Sequence, residues 1–172
     1  QGDPDRYALW VANHVLGGGM SSRLFQQVRE ERGLAYTVFS TPSSYSDAGS
    51  LLVYAGTAMA RLPELLDVTA GVLASLLDDG ITEQELAVAK GYLEGSMLLG
   101  LEDSGSRMSR LGTGLVTRDE VVPIEEHIRR IGGVTIDAVH DVLRRVLGAP
   151  RAVSAVGPLG AGSRALEAFA RG

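Results

Sequence analysis

Two side chains set close together, Arg29 and Tyr36, are the residues of this chain whose chemistry is worth placing first. A guanidinium offers a fixed fork of N–H donors, cannot lose its proton near neutral pH, and can hold a carbonyl or a carboxylate. A phenol offers one O–H donor. The residues between them read as two joined local signals, a short capped helix that Gly33 terminates and a strand that begins immediately after. Arg29 then falls in the last helical turn and Tyr36 at the start of the strand, so the corner brings a cation and a phenol toward one point. Local pattern alone also accounts for Arg29 as a helix C-terminal cation that meets the macrodipole or a nearby Glu, and for Tyr36 as a half-buried strand aromatic. Arg23 and Arg32 are the neighbouring cations that compete with Arg29 for the assignment.

The elements around the corner follow from turn chemistry and periodicity. Asp3 caps a first helix that starts at Pro4 and runs over about 4–16, with Tyr7, Trp10, Val11 and Val15 at helical spacing. Gly17-Gly18-Gly19 interrupts it, and Ser21 or Ser22 caps the next helix, with Leu24, Phe25 and Val28 on one face. The triple glycine before a helix could cradle an anion. No Lys-Ser or Lys-Thr follows it, so a turn that lets two backbones approach closely is the preferred reading. Tyr36 to Ser43 and Gly49 to Thr57 form an antiparallel hairpin, the second strand apolar on both faces and therefore central. A long helix follows from Leu62 to the Asp78-Asp79-Gly80 stop, and Thr82 with Glu85 opens another through a capping box. Further helices cover about 104–117, 123–131 and 135–147, Arg151 to Val156 is a compact strand, and the remainder is a tail with room for a short helix. At the junction near 102–107, Glu102, Ser106 and Arg107 are explained by capping and a local ion pair. The fold class is α/β of the α+β kind, a two-layer sandwich whose mainly antiparallel sheet is covered on one face by helices.

Composition narrows the function. The chain of 172 residues, 45% apolar, is long enough for one domain without metal or disulfide staples. Cysteine is absent, which removes thiol chemistry and leans the localisation toward the cytoplasm. A net charge of −5 opposes a nucleic-acid partner, and no apolar run reaches the length of a membrane span. The three histidines, His14, His127 and His140, lie far apart and belong to no H-x-x-E-H or H-E-x-x-H pattern; they read as helix-surface or partly packed residues. No metal site is expected within this chain.

The run from Leu16 through the three glycines, Ser21-Ser22-Arg23-Leu24-Phe25, Val28-Arg29-Glu30-Glu31-Arg32-Gly33-Leu34-Ala35-Tyr36, resembles the C-terminal half of the pitrilysin-type zinc peptidases, which include the mitochondrial processing peptidases. Leu101 to Gly112 and the closing Ala152-Val153-Ser154-Ala155-Val156-Gly157-Pro158 resemble the same family, so the likeness covers about residues 4–158. It implies residues 1–158 as a C-terminal substrate-binding domain, 159–172 as a tail, and a strand preceding Pro4. It implies zinc in the full enzyme, bound by an N-terminal domain or a partner subunit and not by this chain. Hydrolysis would then use zinc-bound water and a glutamate from that other part, with Arg29 binding the peptide substrate and Tyr36 as the catalytic donor to the developing oxyanion. A homo- or heterodimer fits that family. The alternatives are a non-catalytic scaffold subunit of the processing-peptidase type, and a division of labour between a zinc-bearing chain and one bringing the Arg and Tyr pair. The isolated chain is expected to be inactive.

Overall fold

The computed structural model describes residues 5–45, 47–159 and 163–171. Asp3 and Pro4, the expected cap and first helical residue, lie outside that set. The first described helix, α1, is Arg6–Leu16, and Val11 and Leu16 on its inner face are fully buried. A π-helix follows at Phe25–Glu30, then strands β1 (Ala35–Ser44) and β2 (Gly49–Thr57). Helices α2 (Leu62–Asp78), α3 (Glu83–Leu99), α4 (Ser104–Arg118), α5 (Ile124–Gly132), α6 (Ile136–Leu147) and α7 (Ser163–Arg171) complete the order. This is an α+β arrangement in which helices pack over one face of a small antiparallel sheet.

Local chemistry explains most boundaries. On α2, Leu65, Thr69, Val72, Leu73 and Leu76 repeat at the helical period and are all buried. The Thr82–Glu85 capping box is formed in both directions, side chain to backbone each way. At the next junction Asp103 supplies the cap, accepting from Ser106 N at 2.6 Å, so Glu102 and Arg107 are not needed for it. Thr135 caps α6 through Ala138 N. Helix α1 lies against β1, α3 and α6, while α2 meets α6 and α7. Leu159, Leu166 and Phe169 pack against the core from its margin.

The hairpin pairs Val38 with Ala55, Ser40 with Val53 and Pro42 with Leu51. Ser40 gives its N–H to Gly17 O at 3.0 Å, away from β2. In an antiparallel ladder, residues two apart along a strand point their peptide groups the same way. Pro42 therefore sits where its missing N–H removes no ladder bond, and Val53 turns its peptide groups toward the far edge of β2. Among the described residues no strand occupies that edge.

Two expectations are corrected here. Arg151 to Val156 alternates, with Arg151, Val153 and Ala155 half-buried and the residues between them exposed, yet it pairs with nothing described and is not a strand. Alternation makes a segment ready for a sheet, but only a neighbouring ladder makes it one. For the same reason β2 is not central: Leu52 and Tyr54, 53% and 49% exposed, face solvent while Leu51, Val53 and Ala55 face the core.

Candidate functional site

The corner that carries Arg29 and Tyr36 is built by three backbone irregularities. The first is the glycine turn. Gly17 and Gly18 both donate to Asn13 O, closing α1, and a Cβ on Gly17 would stand 2.6 Å from Ser40 N. Only a residue without a side chain lets the turn lie against β1 and accept its hydrogen bond. Gly17→Ala is expected to lower stability by about 1–3 kcal/mol, through overpacking and loss of the bond to Ser40, read as a lower midpoint in denaturant unfolding.

The second irregularity replaces an expected α-helix. Ser22, fully buried, accepts from Phe25 N at 3.4 Å, as the sequence suggests. From Phe25 to Glu30 the bonds then lengthen to the i→i+5 pattern, with Glu31 N donating to Gln26 O at 2.9 Å. Leu24 and Val28 remain fully buried and anchor the segment to the core. The wider turn ends at Gly33, whose φ of +58° lies in the left-handed region.

The third is a register shift in β1 between Ala35 and Thr37, which leaves Tyr36 as the extra, unpaired residue of a β-bulge. Ala35 and Val38 stay buried, whereas Tyr36 is thrown outward and is 81% exposed. A half-buried strand aromatic is thus corrected to an exposed one. Bulges re-aim side chains, and this one aims a phenol back over the π-helix.

The result is a stack. The Arg29 guanidinium carbon lies 4.7 Å from the Phe25 ring centroid and 4.8 Å from that of Tyr36. Each contact contributes about 0.5–1 kcal/mol at exposed sites, enough to narrow the positions the cation samples. The only ion pair found for Arg29 among the described residues is a long one, 3.7 Å to Glu30. Rings that cover the faces of a guanidinium leave its in-plane N–H groups open to a ligand. Tyr36 Oη likewise has no hydrogen-bond partner among the described residues. Phe25, expected only on the apolar face with Leu24 and Val28, also covers Arg29, and its place four residues before that cation is the signal for the contact.

The competing cations are otherwise engaged. Arg23 binds both carboxylate oxygens of Glu85, at 2.7 and 2.9 Å, together with Ser75 Oγ and Gly80 O. Arg32 pairs with Glu31 and donates to Gln27 O. Arg23 is a structural clamp, and Arg32 is held in an exposed local pair.

His14 and His127 are more deeply placed than expected, His140 is partly packed as expected, and none suits a metal. His127, 6% exposed, shares a 2.9 Å hydrogen bond between Nδ1 and Tyr7 Oη. Its pKa is pushed below 6.5 by burial and then by the positive charges of Arg6, Arg110, Arg118 and Arg130. His140 Nε2 accepts from Ile81 N at 3.1 Å. His14, 4% exposed, stacks on Tyr92 with ring centroids 4.3 Å apart. Among the described residues no three His, Cys, Asp or Glu side chains cluster to hold an ion, so these residues do not fit a zinc centre.

A family model described as the peptidase M16 inactive domain matches residues 1–93. An uncharacterized zinc protease of Mycobacterium tuberculosis is 48% identical over 155 residues, 90% of this chain and 35% of that protein. One from Bacillus subtilis is 41% identical over 154 residues, 90% of this chain and 38% of its own length. A crystal structure of a peptidase M16 inactive domain from Pseudomonas fluorescens aligns with a TM-score of 0.75 and 28% identity, over 84% of this chain and 34% of the other. The chain thus spans little more than a third of the relatives it matches.

Proposed function

The chain belongs to the peptidase M16 family, in which it matches the inactive domain, and on that premise we propose that it is the non-zinc-binding C-terminal domain of a zinc metalloendopeptidase. It closes over a peptide held at a zinc site that another domain or subunit supplies. Residues 1–158 form the substrate-binding domain in this reading, and 159–172 a tail. The observation that carries it is the Phe25–Arg29–Tyr36 stack, a half-buried cation whose one ion pair among the described residues is long, beside an exposed phenol with no hydrogen-bond partner among them.

Each side chain has its own task. Arg29 orients the peptide by holding a main-chain carbonyl or a carboxylate. Tyr36 donates its O–H to the carbonyl oxygen as negative charge develops there, a stabilisation that grows toward the transition state. Because backbone hydrogen bonds do not depend on side-chain identity, an extended peptide suits such a pair. The lack of cysteine favours a reducing compartment such as the cytoplasm, and no helix of the described residues is long and apolar enough to cross a membrane.

The test separates this domain from the rest of the enzyme. After dialysis against zinc the 172-residue chain is expected to retain less than about 0.1 equivalent of metal and to leave a quenched fluorogenic peptide uncut. Adding the zinc-binding part is expected to restore cleavage, and Arg29→Ala in the reconstituted enzyme to raise KM. One equivalent of zinc on the chain alone, or cleavage indifferent to Arg29, would overturn the reading. Zinc binding by the complement without cleavage would favour a scaffold subunit instead.

A further inference from the structure

A second concavity, which contains none of Phe25, Arg29 and Tyr36, opens between α1 and α3. Its volume is about 340 Å³, near the small end of ligand pockets, which run from roughly 300 to 1,000 Å³. Trp10 and His14, four apart on α1, face Leu93 and Met97, four apart on α3, with Tyr92 stacked on the imidazole. No charged side chain lines it.

Two features set this cavity apart from a packing gap. His14 is almost wholly buried in its wall, yet its Nε2 has no hydrogen-bond partner among the described residues. A buried polar atom left unpaired is a cost the fold carries without return. Burial also holds the His14 pKa below 6.5, so the ring is neutral at pH 7 and suits an uncharged ligand. Beside it, Asn13 is oriented by Ser40, whose Oγ donates to Asn13 Oδ1 at 2.8 Å. That bond leaves the Asn13 amide N–H groups without a partner among the described residues. Apolar and aromatic walls with a few fixed polar groups are the usual make-up of a recognition site.

We propose that this cavity is a subsite for one uncharged side chain, aromatic or branched aliphatic, with the Asn13 amide available to the peptide group that carries it. A charged side chain is excluded, because it would be desolvated with no opposite charge to meet it. The assignment of a peptide as the ligand rests on the function proposed above; the preference for an uncharged apolar group does not.

Trp10 is the single tryptophan of the chain and lines the cavity, so its fluorescence reports occupancy directly. Titrating the 172-residue chain with N-acetyl-phenylalaninamide and N-acetyl-leucinamide is expected to give saturable changes. N-acetyl-glycinamide and N-acetyl-aspartamide should bind at least about tenfold more weakly, roughly 1.4 kcal/mol. Leu93→Phe, which fills the cavity, is expected to weaken the phenylalanine probe by at least about tenfold with helical circular dichroism retained. Met97→Phe makes the same test from the next turn of α3 should Leu93→Phe lose helix content. A response that rises linearly, that is equal for charged and apolar probes, or that survives both filling variants would overturn the proposal. The readout needs neither zinc nor turnover, so its failure leaves the Arg29–Tyr36 mechanism standing, and failure of that mechanism leaves this binding measurable.

Discussion

Tyr36→Phe, placed in the complete zinc-loaded enzyme, is expected to lower kcat for peptide cleavage by about 100- to 1,000-fold with little change in KM. The substitution removes one oxygen and keeps the ring. The face that covers the Arg29 guanidinium at 4.8 Å is therefore retained, and with it the position of the cation. The lost hydroxyl has no partner among the described residues, and the residue is 81% exposed, so the unfolding free energy should change by less than about 0.5 kcal/mol. A large kinetic effect without a stability effect is the signature of a donor used only when charge develops on the carbonyl oxygen. Steady-state kinetics on a quenched peptide, with thermal unfolding of the same preparation, checks both halves. An unchanged kcat would remove Tyr36 from the chemistry, and a matching loss of stability would show that the residue acts through the fold.

That prediction depends on features only partly legible in the sequence. Gly33 and the residues around it announce that a helix stops and a strand starts, because a left-handed residue is needed there and glycine meets it cheaply. The Thr82–Glu85 box and the Leu65–Leu76 stripe are likewise written in residue types at fixed spacings, and the structure reproduces them. The π-helix is not. Shifting each bond from i→i+4 to i→i+5 moves the backbone while Leu24, Phe25 and Val28 still read as one apolar face. The bulge at Tyr36 is hidden for a related reason, since one extra residue in ten changes which way a side chain points without changing composition. Both irregularities fall within a dozen residues, and together they bring an ordinary helix-end cation, half-buried, under an exposed strand aromatic. The failure at Arg151 to Val156 is of another kind. Its alternation is real, but pairing is a property of neighbours, and no described strand lies beside it.

The largest stability effect is expected at Arg23, the cation that resembles Arg29 in sequence and differs from it in every contact. Its guanidinium joins the segment after the glycine turn to α2 through Ser75, to the loop after α2 through Gly80 O, and to α3 through both oxygens of Glu85. The two side chains are only 17% and 25% exposed, so water recovers little of what a substitution removes. Arg23→Met keeps the stem and leaves a carboxylate and a carbonyl short of donors, at an expected cost of about 2–4 kcal/mol. The pH dependence identifies the cause. Burial pushes the Glu85 carboxyl up, but the Arg23 hydrogen bond, the Thr82 amide and the charge of Arg23 outweigh it, and its pKa lies below 4.5. A carboxyl whose folded pKa is depressed adds stability above its unfolded value and loses it as pH falls through the folded value. The gap between wild type and Arg23→Met in urea unfolding should therefore be widest near pH 7 and narrow below pH 4.5, without closing, because Arg23 still donates to Ser75 Oγ and Gly80 O when Glu85 is protonated. A gap that stays constant down to acid would assign the loss to packing of the arginine stem, and a gap near zero at pH 7 would show that the three-way tie is not what holds the π-helix segment to α2 and α3.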